Sequence, residues 1–284
     1  MKLIRIGALA LCAVMLALAL AGCSGSKKPV ILVVSFGTSY NDSREATIGA
    51  IEAAIQAANP GSEVRRAFTS QIIIDKLKDR DGIEIDNVDE AFARLVKDGV
   101  KDLVVQPTHV MSGFEYDDLM KVVDANRSKF KSVKVGAPLL TSDADYDAVI
   151  AAITAATAEY DDGKTLITFM GHGTEHASNA TYAKLQEKLT AASKTNYCIG
   201  TVEAEPSIDD VIAAAKAGGY TRVVLEPLMV VAGDHANNDM AGDEEDSWKV
   251  ILQNEGFEVV PVLKGLGEIP AVCAVYVDHV KNAK

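Results

Sequence analysis

Ile31-Leu32-Val33-Val34-Ser35-Phe36-Gly37-Thr38 and Leu166-Ile167-Thr168-Phe169-Met170-Gly171-His172-Gly173-Thr174 share one shape, an apolar run of strand length that ends on glycine and threonine. A second pair recurs further along. Lys101-Asp102-Leu103-Val104-Val105-Gln106-Pro107 matches Thr221-Arg222-Val223-Val224-Leu225-Glu226-Pro227, and Thr108-His109-Val110-Met111-Ser112-Gly113 aligns with Leu228-Met229-Val230-Val231-Ala232-Gly233. Each half thus has a strand, a proline, an apolar stretch and a glycine ahead of a helix. Apolar runs also fall at 30–36, 63–68, 103–106, 133–137, 166–170, 197–202, 222–226 and 258–262, separated by longer segments of helical period. That alternation is the mark of βα units and a parallel sheet covered by helices. The expected fold is α/β, two similar domains at 29–160 and 161–284, each a parallel sheet flanked by helices, with a cleft between the copies. Ligands of such sheets bind beyond the carboxyl ends of the strands, so chemistry is sought at the strand tails.

Capping residues punctuate the helices. Asp42-Ser43-Arg44-Glu45 offers caps and a first-turn acid for a helix to about Ala58, where Asn59-Pro60-Gly61 stops it. Pro206-Ser207 with Asp209 and Asp210 opens another. The acidic run Asp243-Glu244-Glu245-Asp246 is expected to be a solvated helix face.

Composition narrows the partners. The chain of 284 residues is 48% hydrophobic and 24% charged, enough for a sizeable core. Its 28 basic against 40 acidic residues give a net charge of -12 with no basic run, so the counterion-release energy of nucleic-acid binding is missing. No Walker loop, GxGxxG or HExxH occurs, which removes nucleotide, dinucleotide and zincin chemistry.

The first 22 residues are an address. Lys2 and Arg5 precede an apolar stretch at 6–20 that is short for a membrane span, and Leu20-Ala21-Gly22-Cys23 closes it. This tetrad resembles a bacterial lipobox, with cleavage before Cys23, acylation of its thiol and a linker at 23–28. A soluble secreted form cut nearby is the alternative. Either product is extracytoplasmic, and the expected location is periplasmic with a lipid anchor at Cys23. Cys198 and Cys273 then remain, expected to be buried thiols rather than a metal pair.

Three of the five histidines fall at strand ends: His109, His172 and His235. Flanking glycines leave the His172 imidazole uncrowded in Gly171-His172-Gly173, a poor setting for packing. His235 lies in Gly233-Asp234-His235-Ala236-Asn237-Asn238-Asp239-Met240, rich in groups able to fix an imidazole tautomer. Glu203 and Glu205 follow the sixth strand. Two imidazoles and a carboxylate suit a divalent first-row ion such as Co²⁺, Fe²⁺, Ni²⁺ or Zn²⁺, while Glu203 reads equally as a helix-entry acid. His176 is expected to be a solvated helix-entry residue, and His279 structural. A phosphatase-type GHG needs an arginine just ahead, and position 170 is Met.

Taken together, these motifs resemble the class II tetrapyrrole chelatases, specifically the anaerobic cobalt chelatases acting on sirohydrochlorin. The likeness runs from about Pro29 to the end. It rests on SFGTS at 35–39, TSQII at 69–73, the His109 segment through Glu115-Tyr116, MGHG at 170–173, VEAEPS at 202–207 and AGDHANNDMAG at 232–242. The resemblance implies a pair of similar α/β domains, and metal ligands at His172, Glu203 and His235 that also serve as bases. It implies ATP-independent insertion of Co²⁺, or of Fe²⁺, into a free-base tetrapyrrole with release of two protons. Ser35, Phe36, Thr38 and Met229, with the Leu228-Met229-Val230-Val231 loop, are the candidate substrate contacts.

The export signal separates this chain from cytoplasmic members of such a family. A rival reading is therefore a periplasmic carrier of metal, tetrapyrrole or haem that uses the same cleft without turnover. In that reading His109 is a candidate haem ligand, placed at a homo-oligomer interface.

Overall fold

The computed structural model describes residues 28–284. The expected export signal at 1–22, with Cys12, and the lipidation candidate Cys23 lie outside the described residues. Among the described residues eight strands form: β1 (Val30–Ser35), β2 (Val64–Phe68), β3 (Asp102–Pro107), β4 (Ser132–Val135), β5 (Thr165–Gly171), β6 (Tyr197–Thr201), β7 (Arg222–Pro227) and β8 (Glu258–Pro261). They build two all-parallel four-stranded sheets of the same order, β2-β1-β3-β4 and β6-β5-β7-β8. The duplicated α/β architecture expected from the repeats is the observed one. In each sheet the order reverses beside the first strand, so the crevice for a ligand opens between β1 and β3 and between β5 and β7.

The strands read as continuous apolar runs because both faces are covered. Leu32, Val34, Leu103 and Val105 pack on one face of the first sheet, with Phe92, Leu95 and Val123. Ile31, Val33 and Val104 turn the other way into a core that also takes Ile167 and Phe169 from the second sheet. One apolar interior therefore continues from half to half. The last helix, Pro270–Lys281, strengthens that continuity by crossing back to the first half. Val272, Tyr276 and Val280 join the shared core, and the Tyr276 hydroxyl donates to the Thr108 carbonyl at 2.7 Å. The division at residue 160 separates the sheets but not the packing.

Three local expectations are corrected. The helix after β1 starts at Asn41 on Tyr40, with no side-chain cap; Ser43 Oγ is buried without a partner, and a π turn at Glu45–Gly49 precedes Ala50–Ala58. The acidic run 243–246 is exposed but forms turns leading into the helix Trp248–Asn254, so no helix face carries it. In the 228–231 loop, Leu228 is buried, Val230 packs on the shared core, and Val231 packs against Ile48 and Phe68 of the first half. That loop joins the halves, leaving Met229 half-buried as its remaining candidate for a ligand. Cys198 and Cys273 are free and buried, and burial pushes the Cys198 thiol up to about 12, leaving it unreactive. Among the described residues, no helix is long and apolar enough to cross a membrane.

Candidate metal centre

The carboxyl edges of the two sheets meet. Phe114, at the start of the helix Phe114–Asn126, lies edge-on to His176 with centroids 4.9 Å apart, and a Cβ at Gly233 would sit 3.4 Å from Thr38 Oγ1. At this junction the loops after β5, β6 and β7 bring His172, Glu203 and His235 together, each offering a ligand atom within 4.8 Å of the others.

The local backbone explains the convergence. After β5 the chain turns at Gly173, where φ is +88° and a Cβ would meet the Ala204 nitrogen at 2.7 Å, so a side chain is excluded both by backbone conformation and by space. The β5–β6 ladder then continues past the strands. Val202 N–H donates to the Gly171 carbonyl at 3.1 Å and Glu203 N–H to the His172 carbonyl at 2.8 Å. Glu203 is thus tied to the backbone of the histidine it accompanies, a placement that favours the ligand reading over a helix-entry acid. Its carboxylate lies 3.7 Å from His172 Nε2.

Hydrogen bonds fix both imidazoles. His172 Nδ1 lies 2.7 Å from the Gly173 carbonyl, which can only accept, so in the neutral ring Nδ1 carries the hydrogen and Nε2 keeps its lone pair. His235 Nδ1 lies 2.6 Å from Asp239 Oδ2, one turn on, with the same consequence. The rings stand nearly perpendicular at 86°, with centroids 4.6 Å apart. Two free Nε2 atoms and a carboxylate oxygen make an open three-ligand site for a divalent first-row ion, with further positions free for an incoming macrocycle. Side chains of His172 and Glu203 are half open to solvent, as an ion that must arrive and leave requires.

The carboxyl edge of the first half exposes apolar side chains. Five large hydrophobic side chains are exposed among the described residues, and three of them, Phe36, Ile72 and Phe114, follow β1, β2 and β3. These are the first-half counterparts of the loops that carry His172, Glu203 and His235. Phe36, 48% exposed, is open for contact with a flat ligand. Ser35 and Thr38 are not: both are buried, Ser35 Oγ accepts from Thr108 Oγ1 at 2.8 Å, and Thr38 Oγ1 accepts from Tyr40 N–H at 3.2 Å. These hydroxyls shape the loop floor and do not face a ligand.

The other histidines separate cleanly. Both ring nitrogens of His109 are buried without a partner, and burial lowers its pKa to about 4, so the ring is neutral inside the protein. His279 is structural as expected, with Nδ1 at 2.9 Å from the Ala137 carbonyl and Nε2 at 3.0 Å from Asp145 Oδ1. His176 does enter a short helix, but it is half-buried: its Nδ1 accepts from Ser178 N–H at 3.0 Å and its Nε2 lies 3.4 Å from Asp117 of the first half. Sequence reasoning missed that bridge, along with Ile72, Phe114 and Asp239. For Asp239 a signal existed, since a carboxylate four residues after a histidine shares its helix face.

Two imidazoles and a carboxylate, open to solvent where two matched parallel sheets meet, define a metal-handling protein of the chelatase class. The comparisons give the particular family. Residues 29–284 match the cobalt chelatase (CbiK) family, and the chain belongs to it. A sirohydrochlorin cobaltochelatase of Salmonella typhimurium is 41% identical over 256 residues, covering 90% of this chain and 96% of the relative. Sirohydrochlorin cobaltochelatase CbiKC of Nitratidesulfovibrio vulgaris is 33% identical over 258 residues, 90% of each chain. Among solved structures, Bacillus subtilis SirB with Fe³⁺ superposes with a TM-score of 0.62 at 13% identity, covering 90% of this chain and 95% of that one. CbiX, the terminal enzyme for biosynthesis of sirohaem in denitrifying bacteria, superposes at 0.51 and 18% identity over 90% and 99%. At these identities the structural likenesses establish the shared fold.

Proposed function

We propose that this chain is a sirohydrochlorin cobaltochelatase that inserts Co²⁺ into the free-base macrocycle without a nucleotide. The observation that carries the reading is the His172–Glu203–His235 cluster, with both Nε2 lone pairs directed by their Nδ1 partners. Metal insertion replaces two pyrrole N–H protons by one dication, so the site needs a perch that strips water from the ion and groups that take the protons. The imidazoles and Glu203 perform both tasks in turn: each releases the metal to the ring and is then free to accept a proton. Phe36 and Met229 offer apolar surface to the macrocycle face. Fe²⁺ fits the same ligand set, and choice between the two ions falls to the assay below.

The 1–22 leader and Cys23 support a periplasmic, lipid-anchored location. In that compartment the same cleft also suits a carrier that binds without turnover. The haem-ligand reading of His109 is less favoured, because an axial ligand must present a nitrogen to open space and both of its nitrogens are buried.

Absorbance-monitored insertion of Co²⁺, and separately Fe²⁺, into anaerobic sirohydrochlorin by the mature protein tests the reading. Multiple turnovers, lost in His172→Ala and His235→Ala, are expected. Stoichiometric binding of metal or tetrapyrrole without turnover would replace the enzyme with the carrier.

A further inference from the structure

The two metal-binding imidazoles are oriented by different means. His172 relies on the carbonyl of its own neighbour, Gly173, which the left-handed turn brings to 2.7 Å from Nδ1. No such carbonyl serves His235. It stands at the start of the π turn Ala236–Met240, where the chain's own carbonyls are committed along the turn: Gly233 O accepts from Asn237 N–H at 3.1 Å and from Asn237 Nδ2 at 2.7 Å. The group facing His235 Nδ1 is instead the Asp239 carboxylate, at 2.6 Å. A wider π turn is itself a device often found where a side chain must be re-aimed.

We infer that Asp239 is a positioning residue for metal delivery, holding His235 in the Nδ1–H tautomer so that its Nε2 lone pair faces His172 and Glu203. The inference rests on the chelatase reading and deepens it by naming what readies the site before the ion arrives. A neutral imidazole left to itself samples both tautomers, and in one of them Nε2 carries a hydrogen and cannot ligate. A carboxylate can only accept, so Asp239 excludes that form and holds the ring plane through a charge-assisted bond. Groups of this kind, removed from other metal sites, cost about 10–100-fold in metal affinity or activity. Asp239 does not touch the ion; it acts through His235.

Asp239→Asn, Asp239→Ala and Asp239→Glu provide the test, read at one fixed pH. Asparagine keeps the shape, but its amide serves either tautomer, as acceptor through Oδ1 or donor through Nδ2. In the metal-free parent, ¹⁵N imidazole spectra should show His235 as the Nδ1–H form, assigned by the signal lost in His235→Gln. Asp239→Asn should show a mixture. Co²⁺ titration should weaken by about tenfold or more in both the Asn and Ala variants, with Glu recovering part of the loss. In turnover the defect should appear in KM for Co²⁺, with KM for the tetrapyrrole unchanged. A neutral His235 ring with its hydrogen on Nε2 in the parent overturns the inference. So does an Asp239→Asn variant with parental Co²⁺ affinity, since the carboxylate would then be acting only by filling space. The chelatase reading fails differently: a parent that binds Co²⁺ in an Asp239-dependent way yet never turns over sinks the enzyme and leaves the positioning role standing.

Discussion

The two halves have the same strand order and nearly opposite chemistry at their carboxyl edges. After β5, β6 and β7 come His172, Glu203 and His235; after β1, β2 and β3 come Phe36, Ile72 and Phe114. One edge gathers two imidazoles and a carboxylate, and the other exposes apolar side chains. A tetrapyrrole demands such a split, because its ring face is apolar and its centre must meet a metal. The contrast also reaches inside the sheets. Gln106 of β3, opposite Val33, is buried with its amide donating to the carbonyls of Pro107 and Ala137 at 2.8 and 2.9 Å. Its counterpart Glu226 of β7, opposite Phe169, is a buried carboxyl.

The largest effect expected from breaking the asymmetry is at the edge that carries His172, Glu203 and His235. Replacing His172 or His235 by alanine should lower cobalt insertion by about 10²-fold or more, while Phe36→Ala leaves Co²⁺ affinity untouched. Isothermal titration beside the insertion assay separates the two. Equal loss of metal binding in Phe36→Ala would contradict the division.

The Gln106–Glu226 contrast gives the next. Burial pushes the Glu226 carboxyl from 4.5 up to about 7, opposed by Lys264 and reinforced by Glu159 and Glu268. The folded chain then holds that proton to higher pH than the unfolded chain does, so the linkage slope is negative and stability falls as pH rises between about 4.5 and 7. Glu226→Gln, which makes the second sheet match the first, should gain up to about 3 kcal/mol at pH 8 and nothing below about pH 4. Urea unfolding across that range checks it; curves that run parallel in parent and variant would remove Glu226 from the account.

Gly173→Ala forces a side chain into a left-handed turn and against the Ala204 nitrogen, and should cost about 1–3 kcal/mol. Because Ala204 adjoins Glu203, Co²⁺ affinity should fall together with stability. Gly37 has the matching positive φ of +103° after β1, and a Cβ there would meet Phe68 Cδ2 at 2.6 Å. Gly37→Ala should therefore destabilise comparably without changing Co²⁺ affinity, a difference read by paired denaturation and titration.

The smallest effect is at the apolar edge. Phe36→Ala removes the exposed ring proposed to meet the macrocycle; a contact worth about 1.4 kcal/mol should raise KM for the tetrapyrrole about tenfold with KM for Co²⁺ constant. An unchanged tetrapyrrole KM would move the macrocycle elsewhere along the rim, with Phe114 and Ile72 the next to test.

The sequence announced much of this. Apolar runs ending in glycine and threonine marked the strands, and the Gly-His-Gly turn marked His172 because a histidine between glycines at a strand end has little to pack against. What it concealed depends on contacts between distant residues. Ser35 looked available at a strand tail, but its hydroxyl meets Thr108, 73 positions away. The 228–231 loop looked like a ligand wall, but Val231 packs against Ile48 and Phe68. The return of the last helix to the first half, anchored by His279 to Asp145, carries no local signature because helical period does not say which core a helix joins. Asp239 was legible in spacing, and only its 2.6 Å approach to Nδ1 gives that spacing a role.

Anomalous scattering at the cobalt edge from crystals of the mature protein equilibrated with Co²⁺ locates the ion itself. One ion is expected at the carboxyl edge of the second sheet, bound by Nε2 of His172, Nε2 of His235 and the Glu203 carboxylate. Cobalt bound through Nδ1 of either histidine, or seated away from these three side chains, would contradict it.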